Sequence, residues 1–384
     1  MRSHWSVVVL AVAAAGCADR SISAPARSPA QTVALDRSLD PDEVVGGVFA
    51  ETNDATANAV VAFARHADGS LTYVANYPTG GQGIYGAVDP LQSQYSVALT
   101  PNHEFLFAVN AGSNSIAAFE VGLRGLRAIE TVASNGATPV SIAATNHVVY
   151  VLNKASNTVT GFRIEHGRLR GEPRLTRSLS TGAGGGAAIR FDPEQRLLAV
   201  TERTSNVIDV FTVRDDGELS RHPVTSPAAG NTPFGFDWTA RRDLVASEAG
   251  SGTASSYIAT RSGVLTVTGG SPVSTQQAAP CWLITTHDGR FAYVANAGSS
   301  SITGFSIAPS GVLSIIAPVT GALAAGSTPL DLDVTRDSKY LYVLKAGSNT
   351  IGAFRVNSNG TLSALADGVG GLPTQSGQMG IAAY

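Results

Sequence analysis

Three charged residues, Glu202, Glu248 and Lys345, stand at one position of a recurring sequence pattern. Each follows a short apolar segment and precedes a turn rich in Gly, Ser or Thr. A glutamate whose pKa is raised by burial can activate water, and a cation can stabilise the charge that develops on a carbonyl oxygen. These residues are therefore candidates for a catalytic or ligand-binding site, with solvated turn charges as the alternative. Other copies of the pattern carry the structurally useful turn residues Asn110, Asn153 and Asn296.

Arg190 and Asp237 occupy equivalent places in two successive copies of the pattern. Arg190 could supply positive charge to a reaction that uses Glu202 as its base. An ion pair between Arg190 and Asp237 on neighbouring strands is equally compatible with the spacing, and such a pair would belong to the scaffold. Both interpretations remain open at this point.

Three further residues are candidate ligand contacts or core residues. Trp282 could stack on a sugar or aromatic ligand, or pack inside the protein. Asp331 shares a strand face with Asp333, but hard cations usually take more oxygen ligands than two carboxylates offer, so no metal site is expected. Cys281 has no identifiable His partner and is expected to be a small core residue.

The pattern that carries these residues occurs seven times. Each copy alternates apolar and polar residues, as in SIAAFEV and TVTGFRI, and ends in a turn glycine, which predicts a β-hairpin. Repeats of about 40–50 residues are typical of β-propellers. We therefore predict an all-β, seven-bladed propeller of four-stranded antiparallel blades over residues 44–384, closed by the terminal segment GQMGIAAY. The anchoring aromatic residues, 43 to 56 residues apart, are Phe63, Phe119, Phe162, Phe211, Tyr257, Phe305 and Phe354.

Composition narrows the possible partners. The chain of 384 residues has a formal net charge of −3, and its 26 basic residues form no basic stretch, so nucleic acid is not expected to bind. The glycine cluster GAGGG (residues 182–186) is not followed by Lys-Ser/Thr and a helix, so it does not predict a phosphate-binding loop. We expect no cofactor, a monomer, and a small-molecule or glycan ligand at the mouth of the propeller channel.

The first residues, MRSHWSVVVLAVAAAGCADR, resemble an export signal. Their apolar run is too short for a membrane span. The sequence AAGC is similar to the lipobox of bacterial lipoproteins, which implies that residues 1–17 are a signal peptide and that Cys17 is lipidated. Residues 18–43 are rich in Ser, Ala, Pro and Arg and are expected to form a flexible tether. The resulting expectation is a lipoprotein of the bacterial cell envelope, on the periplasmic or outer-membrane face, with secretion as the alternative.

The repeat phase and phrases such as FAVNAGSNSIAAF and VTERTSNVIDVF resemble the bacterial seven-bladed β-propeller lactonase family, which includes 6-phosphogluconolactonase-like and carboxymuconate-cyclase-like proteins. In that family an inner-strand Gly-Pro-Arg-His motif places Arg and His at the channel mouth, and a Glu follows on the next strand. Glu202 matches this Glu, but Ala187 and Ala188 stand where Arg and His are expected. The seven histidines lie in the signal or near predicted turns, so none is expected in the channel.

Two functions follow from this resemblance. The first is a lactonase, a carboxylic ester hydrolase acting on a sugar lactone or related cyclic acid, with Glu202 as base and Arg190 as the cation. The second is a non-catalytic, lipid-anchored propeller that binds a small molecule, glycan or protein. The candidate ligand-binding residues in either case are Glu248, Lys345, Asp237, Trp282 and Asp331.

Overall fold

The computed structural model describes residues 43–86, 88–122, 125–182, 185–374 and 377–384, without the side chains of residues 366–368. The predicted signal peptide, Cys17 and residues 18–42 of the predicted tether lie outside the described residues. No helix in the described part of the chain is long and apolar enough to cross a membrane.

The described chain forms seven antiparallel sheets, each built around four strands. Two short single turns of 3-10 helix, Ala111–Ser113 and Pro173–Leu175, interrupt the strand pattern. The strands in chain order are β1 (Val44–Glu51), β2 (Ala59–His66), β3 (Leu71–Pro78), β4 (Val97–Leu99), β5 (Phe105–Asn110), β6 (Ser115–Gly122), β7 (Gly125–Ala133), β8 (Pro139–Ala144), β9 (Val148–Asn153), β10 (Thr158–Glu165), β11 (Arg168–Gly171), β12 (Arg177–Ser178), β13 (Gly186–Phe191), β14 (Leu197–Glu202), β15 (Val207–Thr212), β16 (Val224–Pro227), β17 (Pro233–Trp238), β18 (Asp243–Glu248), β19 (Thr253–Ala259), β20 (Leu265–Val267), β21 (Val273–Ser274), β22 (Pro280–Thr285), β23 (Phe291–Asn296), β24 (Ser301–Ile307), β25 (Leu313–Ala322), β26 (Pro329–Val334), β27 (Tyr340–Lys345), β28 (Thr350–Val356), β29 (Leu362–Val369) and β30 (Met379–Ala383).

Each sheet is one blade of a propeller, and the last strand of the chain closes the ring. Blade 1 has the order β3-β2-β1-β30, so β30 is its inner strand, and it pairs with β1 through Val48 with Ala383 and Phe49 with Ala382. Blades 2 to 7 begin at β4, β8, β13, β17, β22 and β26. This closure confirms the predicted role of the terminal segment. The segment supplies the inner strand of blade 1, which covers the edge of β1.

The blades have two ends, which we call the upper and lower sides. The upper side carries the connections between blades and the turns between second and third strands. The lower side carries the turns between first and second strands and the hairpins between third and fourth strands. All seven predicted aromatic anchors are buried, with at most 3% of their surface exposed, which confirms the phase of the repeat.

Most inner strands begin with a β-bulge. Pro280 pairs with Asn296, whereas Trp282 pairs with the adjacent Ala295, so one residue is left over at position 281. The same shift occurs after Pro139, Gly186, Pro233 and Pro329. Proline is tolerated at four of these places because they are strand starts.

The connection from blade 1 to blade 2 enters the central channel. We call residues 91–96 the channel segment; within it Leu91, Ser93, Gln94, Tyr95 and Ser96 are buried. The Gln94 Nε2 donates to the Leu283 carbonyl at 2.9 Å, and the Tyr95 hydroxyl donates to the Phe236 carbonyl at 2.7 Å. The segment therefore crosses the channel from blade 2 to blades 5 and 6 and divides it into an upper and a lower part.

Candidate active site

The second strand of each blade ends in a residue that lies between blades, beneath the incoming connection. Gly81 and Gly136 of two connections lie so close to Asn110 and Asn153 that an added Cβ would meet the asparagine side chains at 2.4 Å. This position also includes Glu51, at the end of β1, which the sequence analysis did not list although the phrase FAETN aligns with VANAG. We call the seven residues that end the second strands the connection-facing residues. They are Glu51, Asn110, Asn153, Glu202, Glu248, Asn296 and Lys345.

Glu202 is fully buried, so its carboxylate is not exposed at the channel mouth as expected. Its carboxylate accepts hydrogen bonds from the hydroxyls of Ser180, at 3.1 Å, and Thr181, at 2.5 Å, in the connection that enters blade 4. Burial, followed by the hydrogen bond with the Asp209 carboxyl, raises the pKa of Glu202 to about 7. This carboxyl pair thus holds the connection.

The structure does not bring Glu202 and Arg190 together. Glu202 pairs with Gly186 at the upper end of β13, whereas Arg190 pairs with Ala199 near the lower end. Four residues of extended strand span about 13 Å. The two predicted catalytic residues thus belong to opposite ends of the blade.

Glu248 is satisfied by groups of its own blade. Its carboxylate accepts hydrogen bonds from the Gly230 amide at 2.8 Å and from the hydroxyls of Thr253, Ser255 and Tyr257 at 2.5, 2.9 and 3.1 Å. It is fully buried, so it is not exposed at the channel mouth as expected. This arrangement is that of a structural residue between a connection and a blade.

Lys345 is also buried, with 2% of its surface exposed. It borders a small cavity of about 210 Å³ that is otherwise apolar, next to Leu323, Phe354 and Leu365. The expected orientation of Lys345 toward the channel mouth is therefore not observed, because the connection-facing position directs side chains between blades.

Trp282 and Asp331 hold the channel segment in place. The Trp282 indole donates to the Ser93 carbonyl at 2.9 Å, and its ring lies edge-on to Phe234 with the ring centres 5.2 Å apart. Asp331 accepts a hydrogen bond from the Tyr95 amide at 3.1 Å. Both side chains are at most 1% exposed, so Trp282 has the packing role rather than an accessible stacking face.

Arg190 and Asp237 meet in a cavity of about 380 Å³ on the lower side, which we call the lower cavity. The Arg190 Nε lies 2.8 Å from the Asp237 Oδ1, which confirms that the predicted ion pair forms. Asp237 Oδ2 also accepts hydrogen bonds from the amide and hydroxyl of Thr285. The guanidinium lies 4.4 Å from the centre of the Tyr95 ring, so the channel segment forms the roof of this cavity.

Asp333 supplies a second carboxylate to the lower cavity. Its Oδ2 accepts a hydrogen bond from the Ala383 amide at 2.8 Å, and its Oδ1 accepts one from the Val334 amide at 2.9 Å. Burial raises the pKa of Asp333, and the Arg190 charge opposes this shift. A carboxylate with a raised pKa beside a guanidinium is suited to accept a proton from water.

Repeat position explains why these side chains meet. Arg190, Asp237 and Asp333 each lie four residues after the first residue of an inner strand, and in three of the other four blades this position is alanine, which leaves space. The register of the repeat is therefore a sequence signal for Asp333, which the pattern of carboxylates alone had indicated only as a neighbour of Asp331. The residues at this position are Ala98, Ala143, Arg190, Asp237, Ile284, Asp333 and Ala383.

Two histidines line the lower cavity, contrary to the expectation that none would lie in the channel. His103 and His287 belong to turns between first and second strands, and Arg336 lies in the corresponding turn of blade 7. These turns curl over the lower opening, which periodicity within strands cannot indicate. Burial, followed by the charges of Arg336 and His287, lowers the pKa of His103, which favours its neutral form. Among the described residues no group of three or more His, Cys, Asp or Glu is arranged to hold a metal ion.

The fold and the charged cavity on its axis are those of a closed, seven-bladed β-propeller. Comparison of the sequence with models of known protein families then identifies the family. The chain belongs to the family of seven-bladed β-propeller lactonases, whose model matches residues 54–174, 147–281 and 270–373.

Named relatives agree with this assignment. A 6-phosphogluconolactonase of Yersinia pestis (strain Pestoides F) is 28% identical over 167 residues, which cover 39% of this chain and 49% of the relative. A 6-phosphogluconolactonase of Pectobacterium carotovorum subsp. carotovorum (strain PC1) is 23% identical over 197 residues, or 44% of this chain and 58% of the relative. The chain thus matches about half the length of these curated relatives.

Solved structures share the fold. A protein from Lactobacillus plantarum superposes with a TM-score of 0.69 at 18% identity, over 88% of this chain and 99% of that chain. The periplasmic gluconolactonase PpgL of Pseudomonas aeruginosa gives a TM-score of 0.65 at 16% identity, over 88% and 98%.

Proposed function

We propose that this protein hydrolyses a small sugar lactone or related cyclic ester in the lower cavity. The observation that carries the proposal is the presence of Asp333 and Arg190 together in that cavity. Its volume of about 380 Å³ falls in the range of small-molecule sites. Membership of the lactonase family and the names of the relatives support ester hydrolysis as the reaction class.

The residues divide the work of hydrolysis between them. Asp333 takes a proton from water as the water oxygen bonds to the lactone carbonyl carbon. The free amino groups of the Arg190 guanidinium, whose Nε is held by Asp237, donate to the carbonyl oxygen as it becomes negative. The ring C–O bond then breaks, and the alkoxide leaving group takes the proton from Asp333. The product is an open-chain hydroxy acid, whose carboxyl group ionises in solution.

The test is pH-stat hydrolysis of a panel of neutral and anionic sugar lactones by the full chain, with Asp333→Asn and Arg190→Gln. Each substitution is expected to lower kcat/KM by about 10²- to 10³-fold, because each removes one group that acts in the transition state. Asp337→Asn is the matched control, since it removes a half-exposed carboxylate of the same blade, and it is expected to keep full activity. Full activity in Asp333→Asn would overturn the assignment of the base.

Glu202→Gln decides between the two ends of the channel. If hydrolysis takes place in the lower cavity, this variant retains its kcat/KM, because the hydrogen-bond partners of Glu202 all lie in the upper connection and in blade 4, away from that cavity. Loss of turnover in Glu202→Gln, with retained folding and with activity intact in Asp333→Asn, would move the reaction to the upper side.

A second candidate function is ligand binding without turnover in the same cavity. The observation that favours it is the neutralisation of Arg190 by Asp237, because a charge-balanced cavity binds polar ligands without activating them. Saturable binding of sugar lactones or sugar acids by calorimetry, with no hydrolysis of any lactone, would support this alternative.

We also propose that the chain is exported and anchored through a lipid on Cys17. The support is the AAGC sequence that ends the apolar run at the N terminus. Metabolic labelling with a radioactive fatty acid is expected to mark the wild type and not Cys17→Ser. Equal labelling of both would contradict the anchor.

A further inference from the structure

The upper side carries a cluster of charged residues that the proposed reaction does not use. Two of them, Lys154 and Arg203, directly follow connection-facing residues in blades 3 and 4. The repeat makes their charge conspicuous, since the equivalent residues of the other five blades are uncharged. Those five residues are Thr52, Ala111, Ala249, Ala297 and Ala346.

Both cations reach the same neutral acceptor. The Lys154 Nζ lies 2.8 Å from the Gln92 Oε1, and the Arg203 Nη2 lies 2.7 Å from the same oxygen. Gln92 belongs to the channel segment and is exposed, with a left-handed backbone at φ 53°. The Arg203 guanidinium also lies 5.6 Å from the centre of the Phe234 ring, which helps to hold it in place. Two positive charges thus converge on one amide oxygen at the surface.

The nearby carboxylate does not balance these charges fully. Burial raises the pKa of Asp89 to about 7, against the opposing effect of Arg203, so this carboxyl is partly protonated near neutral pH. Burial, followed by the Arg203 charge, lowers the pKa of Lys154 to about 8. Within the described residues, the Asp89 Oδ1 and the Arg203 Nε are buried without a hydrogen-bond partner. The cluster therefore combines surplus positive charge with unused hydrogen-bonding capacity.

We propose that Lys154 and Arg203, with Gln92 and Asp89 beside them, form a binding site for a small oxyanion, a carboxylate or phosphate group. The anion takes the place of the Gln92 amide oxygen between the two cations. Hydrogen bonds from ammonium and guanidinium groups to an ionised oxygen are shorter and stronger than those to a neutral amide, which favours the exchange. The four residues are called the upper cluster below.

Calorimetric titration of the full chain with inorganic phosphate, and separately with gluconate, tests the proposal at low ionic strength. Saturable binding of at least one anion is expected. The anion that binds with the larger affinity shows whether the site prefers a phosphate or a carboxylate group. Arg203→Gln and Lys154→Gln are each expected to weaken binding by about tenfold or more, because each removes a charge-assisted contact. Arg127→Gln removes an exposed guanidinium of blade 2 and is expected to leave binding unchanged.

Gln92→Glu tests the site by placing a carboxylate of the protein itself at the proposed anion position. A glutamate side chain there would place a carboxylate between Lys154 and Arg203, so this variant is expected to lose anion binding and to melt at a higher temperature than the wild type. Circular dichroism of every variant reports whether it is folded.

Three results would overturn the proposal: no saturable binding of either anion, binding unchanged by Arg203→Gln, or binding lost in Arg190→Gln and retained in the upper-cluster variants. The last result would place the anion in the lower cavity. Because the readout is binding at the other end of the channel, failure of the proposed hydrolysis would leave this test intact.

Discussion

At the scale of single residues, the seven blades act as internal comparisons for one another. The connection-facing residues share one environment but differ in side chain, with three glutamates, three asparagines and one lysine. An asparagine there satisfies local polar groups without charge, as Asn153 does with the Thr160 hydroxyl at 2.9 Å. A buried glutamate at the same position must either share a proton or gather several donors, because burial disfavours its ionised form.

Glu51 is the clearest case and leads to a prediction about stability. The Asn58 amide donates to its Oε1 at 2.6 Å, its Oε2 has no hydrogen-bond partner among the described residues, and burial raises its pKa from 4.5 to about 8. Between these values the folded protein holds a proton that the unfolded chain releases, so stability falls as pH rises. Glu51→Gln removes this loss. The melting temperature of Glu51→Gln relative to wild type is therefore expected to increase from pH 5 to pH 9.

The control for this experiment is Glu104→Gln, which changes an exposed glutamate on the lower side. Its melting temperature relative to wild type is expected to stay constant over the same pH range. A constant difference for Glu51→Gln as well would show that Glu51 is not buried in its protonated form.

At the scale of elements, the channel segment links blade 2 to three blades across the ring. Its bonds reach Leu283 in blade 6, Phe236 in blade 5 and Asp331 in blade 7. Because these hydrogen bonds are buried and join distant parts of the chain, the channel segment is part of the protein core. The same segment carries Gln92 of the upper cluster and Tyr95 at the roof of the lower cavity, only three residues apart.

Tyr95→Phe measures how firmly this segment is held. The substitution removes the hydroxyl that donates to the Phe236 carbonyl at 2.7 Å and leaves that carbonyl without this bond, which costs about 1–3 kcal/mol of unfolding free energy. Urea denaturation checks the value. Tyr77→Phe, on the outer strand of blade 1, is the control and is expected to cost less; equal losses would mean that the channel segment is not anchored through this hydroxyl.

Periodicity predicted the elements well, because alternation and turn glycines are properties of single strands and hairpins. The seven blades, the aromatic anchors and the closing strand are all confirmed. Side-chain direction was harder to predict. The charged connection-facing residues were expected at the channel mouth, whereas Glu202 and Glu248 are buried and bonded to the incoming connections, and Lys345 is buried beside an apolar cavity.

The channel segment escaped the sequence analysis for a related reason. The interval of 56 residues between Phe63 and Phe119 is the longest in the series and marks the extra chain, but length alone does not say where that chain goes. The histidines of the lower cavity lie in turns, whose course depends on packing around the whole ring. Both parts of the candidate sites therefore depend on contacts between distant blades.

At the scale of the whole molecule, stability depends on closure of the ring. The strand β30 is buried on the axis and pairs with β1, and its Ala383 amide also bonds Asp333 in blade 7. A ring that lacks this strand exposes the edge of β1, which favours association with other chains.

Removal of residues 379–384 is therefore expected to abolish the monomeric fold, with loss of the cooperative melting transition and appearance of aggregates in size-exclusion chromatography. Deletion of residues 18–39 is the matched control, since this predicted tether precedes the first strand, and it is expected to leave the transition in place. A monodisperse, cooperatively melting protein without residues 379–384 would show that blade 1 is stable with three strands.

Ring closure also places both ends of the propeller chain on the same side of the molecule. Glu43 bonds the β2–β3 hairpin and Tyr384 bonds Gly47, so the chain enters and leaves the propeller on the lower side, and the Tyr384 ring centre lies 5.0 Å from that of His103 at the cavity rim. A sensor-chip linkage made directly at Tyr384 would therefore turn the lower cavity toward the support and the upper cluster toward bulk solution. Compounds that reach the two sites would then approach from opposite directions.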